Sequence, residues 1–432
     1  MTLNVSPSAI SLGGSTTGQS INLELTQSAT ATVSLNDTNV RTLAGVSSGA
    51  ISMPTNFWGK SYVPPFQTTL TSIAYAIGSN ANESILACDR SPANTTKPTT
   101  SSFFAISDGW ASIYRSQNLG NTFSAVYTGG SYLSSIAAKA QSTSASTVCA
   151  LGFGTYAGYV ARSTNSGGSW STVSFTDPTG NTQSSGGICA NQYPGSTEWM
   201  MAITSVTNST TYILRSTDSG ASWSSVGSFS SNVVGLAVGE SVFIACSNDA
   251  ATASRWMVCV YTVGIFTSSN SGASWSSVLS TGGYGGSNPT FRSMSYGNGT
   301  WVTSVEPLSN DSARMGYYYS TNNGGSWTLV QYPNAQNYPP SGSNFTYGRG
   351  FSNFVEDKNS GVGNFVFSVS ALGASTVTSK VFVSTDNGAS ITNTPTIGGA
   401  GAQSPSAAVS SYGPVIAPQA TGGGTMYTIV PS

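Results

Sequence analysis

Six octamers at near-regular spacing dominate the chain and limit what it can fold into. They begin at Ser116, Ser163, Ser216, Ser268, Ser320 and Ser384, separated by 47, 53, 52, 52 and 64 residues. Each reads Ser, any residue, Asp or Asn, any residue, Gly, any residue, Ser or Thr, and then a large apolar residue. The third place is held by Asn118, Asn165, Asp218, Asn270, Asn322 and Asp386, and the fifth by Gly120, Gly167, Gly220, Gly272, Gly324 and Gly388. The last place is Phe123, Trp170, Trp223, Trp275, Trp327 or Ile391. An Asp or Asn that bonds downstream backbone N–H groups, followed by a Gly free to take positive φ, reverses a chain tightly.

The flanks of these turns read as strands. Tyr114-Arg115, Val160-Ala161-Arg162, Ile213-Leu214-Arg215, Ile265-Phe266, Tyr317-Tyr318-Tyr319 and Val381-Phe382-Val383 lead into them with β-branched and aromatic residues. Further upstream lie Ile85-Leu86-Ala87-Cys88, Val148-Cys149-Ala150, Ile188-Cys189-Ala190, Val242–Cys246, Trp301-Val302 and Phe365-Val366-Phe367. Four of these cysteines recur at similar places, which predicts small buried thiols rather than disulfides or a thiolate metal site. A unit of about four short strands in roughly fifty residues is the size of a propeller blade, a sheet that must stack on neighbours to bury both faces. The final Trp of each turn is predicted to enter the core between blades and to supply the main packing energy, about 3 to 5 kcal/mol on truncation to Ala.

These octamers resemble the Asp-box turns of sialidase-like (BNR-repeat) β-propellers. The resemblance implies that Asp218, Asp386 and the equivalent Asn residues are scaffold, on the face opposite the usual ligand pocket. Segments around Ala407–Val409, Val415–Ala417 and Met426–Val430 provide three strands after the sixth turn. The expectation is seven four-stranded blades, the last completed by Tyr62-Val63-Pro64-Pro65-Phe66 as outer strand, with six blades and a loose tail as the alternative.

Residues 1–61 lack the repeat and form a separate unit, leaving 62–432 for the propeller. Ile21–Leu25 and Ala31–Leu35 alternate as exposed strands do, so this part is predicted to be β-rich and to gain its order from a neighbour. Gly13-Gly14-Ser15, Val40–Gly45 and above all Ser48-Gly49-Ala50-Ile51-Ser52-Met53 through Phe57-Trp58-Gly59-Lys60-Ser61 resemble the N-terminal segments of tailed-bacteriophage virion proteins. That resemblance implies docking to other virion proteins, with Phe57 and Trp58 as contacts; packing of both rings on the propeller is the competing reading. The N-terminus shows no secretion-signal pattern, so synthesis in a host cytoplasm without a cleaved leader is expected.

Composition narrows the function. Histidine is absent, which removes imidazole-based nucleophilic relays and imidazole zinc sites. Lys and Arg number 14 and form no run, so a phosphate-tracking groove for nucleic acid has little to be built from. No apolar stretch is long enough for membrane insertion. No cofactor or metal is implied. The arginine cluster and Phe-Arg-Ile-Pro motif of resembling sialidases are missing; Arg115, Arg162 and Arg215 sit one residue before the box Ser, a structural place. A glycosidase pair would have to come from Asp89, Asp108, Glu198, Glu306, Asp311, Glu356 and Asp357, chosen by elimination only. Binding asks less. Segments around Tyr193, Tyr284, Tyr332 and Tyr338 are rich in Tyr, Asn and Gly and suit sugar stacking or protein contact. The leading expectation is a non-enzymatic virion protein, in a tail or fibre, displaying the propeller to host-surface glycan or receptor. A purely structural virion part without ligand is the second reading, and a polysaccharide-degrading glycosidase the third.

Overall fold

In the computed structural model the described residues are most of 11–57 and, from 70 to 429, the strands and shorter connections. Residues 1–10, 58–69, 74–84, 89–101, 231–241, 281–288, 308–315 and 333–349, with several shorter loops, lie outside them. The described strands form seven antiparallel sheets. The first holds Ile85–Cys88, Phe103–Ser107, Ser112–Ser116 and Ser124–Thr128. The second holds Tyr132–Ala140, Ser146–Phe153, Gly158–Ser163 and Ser171–Phe175, and the third Ser184–Ala190, Trp199–Ser205, Thr210–Ser216 and Ser224–Ser230. The fourth holds Val242–Cys246, Trp256–Val260, Gly264–Ser268 and Ser276–Ser280. In the fifth, Pro289–Phe291 and Ser295–Gly297 share the edge of Thr300–Pro307, followed by Gly316–Ser320 and Thr328–Gln331. The sixth holds Gly350–Glu356, Gly363–Leu372, Val377–Ser384 and Thr392–Gly398.

The seventh sheet closes the fold. Ala402–Ser410, Gly413–Ala420 and Met426–Ile429 are joined at the outer edge by Leu70–Ile73, with Leu70 opposite Ile429 and Ile73 opposite Met426. The outer strand thus starts beyond Tyr62–Phe66, which lies outside the described residues. The first strand of each sheet meets that of the next in chain order, and Ala402–Ser410 also meets Ile85–Cys88, so the circuit returns to its start. The chain is a β-propeller.

Alternation along each second strand explains the stacking. Val148 and Ala150 pack with Phe104, Ile106 and Ile113 of the first sheet, while Cys149 and Leu151 pack with Ile188, Trp199 and Met201 of the third. A strand with both faces covered is apolar at every position, and Trp256–Val260 is buried throughout. The residue paired with the box Ser is fully buried in every sheet that carries a box: Phe103, Val148, Trp199, Trp256, Trp301 and Phe365.

This corrects the energetic expectation. Trp170, Trp223, Trp275 and Trp327 are only half-buried, because each opens the outermost strand of its sheet and keeps one side toward solvent. Each packs backward with its neighbouring sheet, as Trp170 does on Tyr127. Among the described residues, Trp199, Trp256 and Trp301 on the second strands are the tryptophans sealed in the core. The cysteine register is corrected too. Cys88 and Cys246 end innermost strands and Cys189 stands one residue before the end of another, whereas Cys149 sits on a second strand. Cys149, Cys189, Cys246 and Cys259 carry thiols, and all but the half-buried Cys189 are buried.

Where described, the N-terminal segment holds two short helices, Ile21–Glu24 in place of the first expected strand and Thr38–Ala44, while Thr32–Leu35 of the second expected strand forms no strand. Alternation over five residues misled here, since Ile21, Leu25, Val40, Leu43 and Ala44 converge on one small core. Asp37 accepts from the Ser34 N–H at 2.7 Å just before the second helix. Arg41 ties the far end with bonds from Nη1 to the Val46 carbonyl and from Nη2 to that of Gly49.

Candidate functional site

The six octamers lie at the turn between the third and fourth strands of six sheets, and their hydrogen bonds repeat. Ser163 Oγ donates to Asn165 Oδ1 at 3.0 Å and accepts from the Gly167 N–H at 2.9 Å. Asn165 Oδ1 accepts from the Ser169 N–H at 2.8 Å, and Nδ2 donates to Ser169 Oγ. In the two Asp turns the direction reverses at that last bond, the hydroxyl of Ser222 or Ser390 donating to the second carboxylate oxygen. Ser268 with Asn270, Ser320 with Asn322, and Ser116 with Asn118 follow the Asn pattern; Gly120 lies outside the described residues. Burial pushes the Asp218 carboxyl up, but the hydroxyls of Ser222 and Ser216 and the N–H groups of Ser222 and Ala221 outweigh it and hold it at about 2. Asp386 is lowered in the same way.

Two successive residues, not one, take left-handed backbone. Gly167, Gly220, Gly272, Gly324 and Gly388 have φ between +79° and +88°, and the residue before each, Ser166, Ser219, Ser271, Asn323 or Asn387, lies between +54° and +59°. The glycine is required twice over. A Cβ at Gly220 would stand 2.6 Å from Cys149 Sγ, and one at Gly272 3.0 Å from Met200 Cε. Phe104, Cys149, Met200, Met257 and Val302 occupy one equivalent place, each covered by the next sheet's box glycine. Phe, Cys, Met and Val fill that place, so the repeat is invisible in sequence.

The arginines before the boxes complete this face. Arg115 Nη1 donates to the Ser166 carbonyl at 2.7 Å and Arg162 Nε to that of Ser219 at 2.8 Å, each reaching the next sheet's turn. Tyr317 does the same work later in the ring, its hydroxyl donating to the Gly388 carbonyl at 2.8 Å. Arg215 instead turns to Glu198 within its own sheet, Nε to Oε1 at 2.8 Å.

Glu198 belongs to a buried polar cluster on the same side. The segment 191–198 joins the first two strands of the third sheet, and Thr197 binds that sheet's box: its hydroxyl donates to the Thr217 carbonyl, and its carbonyl accepts from the Ser219 N–H. Asn191 Nδ2 donates to Glu198 Oε2 at 3.2 Å, and Asn191 Oδ1 accepts from the Tyr193 N–H at 3.0 Å. Lys139, from the innermost strand of the second sheet, donates to the carbonyls of Asn191, Tyr193 and Ser196. Burial lowers its ammonium to about 8, against the opposing charges of Cys246 and Glu198. Nothing in the sequence marked Lys139, since only folding brings it to this segment.

The predicted contact residues separate. Tyr193 is half-buried on the box side. Tyr332 is a core residue and not a ligand-binding one: it is 7% exposed and stacks on Phe382 with centroids 4.7 Å apart, because it leaves the last strand of the fifth sheet directly over the gap to the sixth. Phe57 is fully buried among Ile21, Val40 and Leu43, so its ring is part of the N-terminal core and neither an exposed docking contact nor packing on the propeller. Trp58, Tyr284 and Tyr338 lie outside the described residues, as do Asp89, Asp108, Asp311 and Asp357. Among the described residues no group of three or more Cys, Asp or Glu is placed to hold a metal ion, and no helix is long and apolar enough to cross a membrane.

No family model matches the sequence. No curated protein matches it either. Solved structures do resemble the fold. A GH74 enzyme of Niastella koreensis aligns at a TM-score of 0.53 with 14% identity, over 85% of this chain and 54% of that one, so the chain spans about half the length of that enzyme. YCF48 from Cyanidioschyzon merolae aligns at 0.47 with 10% identity, over 83% of this chain and 98% of that one. A Hadza microbial sialidase aligns at 0.41 with 14% identity, over 76% and 73%. At such identities it is the β-propeller fold that this chain has in common with known proteins.

Proposed function

We propose that the protein is a non-enzymatic component of a tailed-bacteriophage particle, in which residues 1–61 join other virion proteins and residues 62–432 present a propeller to host-surface polysaccharide or receptor. The observation that carries the display reading is where the described charges are spent. Arg115, Arg162 and Lys139 tie neighbouring sheets, Arg215 and Glu198 pair within the third sheet, and Asp218 and Asp386 hold their own turns. With these charges committed to the scaffold, recognition falls to Tyr, Asn and Gly groups such as those in the segments around Tyr193, Tyr284 and Tyr338. Such groups stack on sugar rings and bond hydroxyls without a tuned pKa. The virion reading rests on the resemblance of the N-terminal segments Gly13-Gly14-Ser15, Val40–Gly45 and above all Ser48 to Ser61.

A glycan array and whole-cell binding with the purified chain test the display reading. Binding to a host-surface polysaccharide is the expected result, and absence of binding to glycans and cells alike leaves a structural part without ligand. The likeness to a GH74 enzyme gives hydrolysis a direct check: degradation of the bound polysaccharide, lost when two facing carboxylates are changed, would replace the display reading by an enzymatic one. A density map of the particle in which residues 1–61 touch no neighbouring protein would sink the docking assignment.

A further inference from the structure

The cluster around Lys139 brings an amine, a carboxamide and a carboxylate together out of water. Lys139 is 3% exposed, Asn191 0% and Glu198 5%. Lys139 lies on the second sheet and the other two at the ends of a hairpin of the third, so a bond between them would tie neighbouring sheets. The carboxamide of Asn191 is fixed at both atoms, Nδ2 on Glu198 Oε2 at 3.2 Å and Oδ1 under the Tyr193 N–H at 3.0 Å. Lys139 Nζ is 2.5 Å from the main-chain oxygen of that same asparagine. Arg215 holds the other oxygen of Glu198, which leaves Oε2 turned to the amide.

We propose that Lys139 and Asn191 join in an intramolecular isopeptide bond, formed by the protein itself with Glu198 as the proton carrier. In the step the Nζ–Cγ bond forms, the Cγ–Nδ2 bond breaks, and Nδ2 leaves as ammonia. Glu198 takes the proton shed by the attacking nitrogen and delivers it to the departing one, so no oxidant, metal or cofactor is consumed. Each requirement has a residue behind it. Burial holds the Lys139 ammonium near a pKa of about 8, so about a tenth of it is the neutral amine at pH 7. The Tyr193 N–H on Oδ1 is placed to stabilise the oxyanion that develops as the amide is attacked. Burial of all three side chains keeps water from competing, and the bond from Lys139 Nζ to the Asn191 main-chain oxygen brings the two residues together. The product links positions 52 residues apart, and so restrains the unfolded chain as a disulfide would, in a protein whose described cysteines form none.

The experiment is the intact mass of the full chain under denaturing conditions, followed by fragmentation of its peptides. The expected mass is lower than that of the sequence by one ammonia, about 17 Da, with a branched peptide joining positions 139 and 191, and Glu198→Ala restores the sequence mass. A wild-type mass equal to that of the sequence overturns the proposal and leaves Lys139 as an ammonium held by carbonyls alone. A loss of ammonia mapped to any other residue, such as a succinimide, overturns it equally. The wild-type mass decides the matter whether or not the variant folds.

Discussion

Asp218 is the most exposed test of what a box residue does. Its carboxylate accepts three hydrogen bonds that its unfolded form lacks, and its folded-state pKa of about 2 lies below the ordinary carboxylate value of about 3.9. A depressed pKa means that its contribution to stability is complete above about pH 4 and is lost as pH falls toward 2. Asp218→Asn supplies the residue that four other boxes already carry, so the variant should fold and show a smaller drop in melting temperature between about pH 4 and 2. An unchanged acid profile would mean that the Asp218 bonds add nothing to the folded state. The Asp or Asn choice was legible in the sequence as turn chemistry. The second left-handed residue before each glycine was not, because Ser at φ near +55° leaves no mark in composition, whereas Asn323 and Asn387 are of a type that tolerates it.

At the scale of strands, the weight of the core lies one element away from the repeated motif. Trp275 ends a box and stays half-buried, and Trp256 on the second strand is sealed among Met200, Ala202 and Val258. Trp256→Ala is expected to cost about 3 to 5 kcal/mol and Trp275→Ala roughly half of that, in proportion to the surface each hides. Urea or guanidinium unfolding of the two variants checks the order, and equal costs would return the boxes to the centre of the energetics. The second-strand tryptophans could have been found as Trp near the start of an apolar run before three of the boxes. Their spacing to the box is uneven because the hairpin between the second and third strands varies in length, and uneven spacing hides a repeat that strand pairing makes regular. The same reasoning explains the N-terminal error: five alternating residues fit a strand and one turn of helix equally, and packing on Val40 and Leu43 decided for the helix.

For the whole molecule, closure depends on four residues from one end of the ring. Leu70–Ile73 supplies the outer edge of a sheet otherwise made from residues 402–429, so the first and last parts of the propeller are held by one ladder. Deleting residues 1–73 removes that ladder and should lower the melting temperature and open the seventh sheet to protease before the others. Equal melting and cleavage in the truncated and full chains would show that contact between Ala402–Ser410 and Ile85–Cys88 closes the ring unaided. What the sequence by itself determined was the repeat, the turn chemistry and the nearly all-β propeller, because each follows from local patterns of a few neighbouring residues. What only the tertiary structure decided was which strand completes the last sheet, which tryptophans are sealed and that Lys139 meets Asn191 and Glu198. Those contacts join residues distant along the chain, and no local preference specifies a partner that arrives from another sheet.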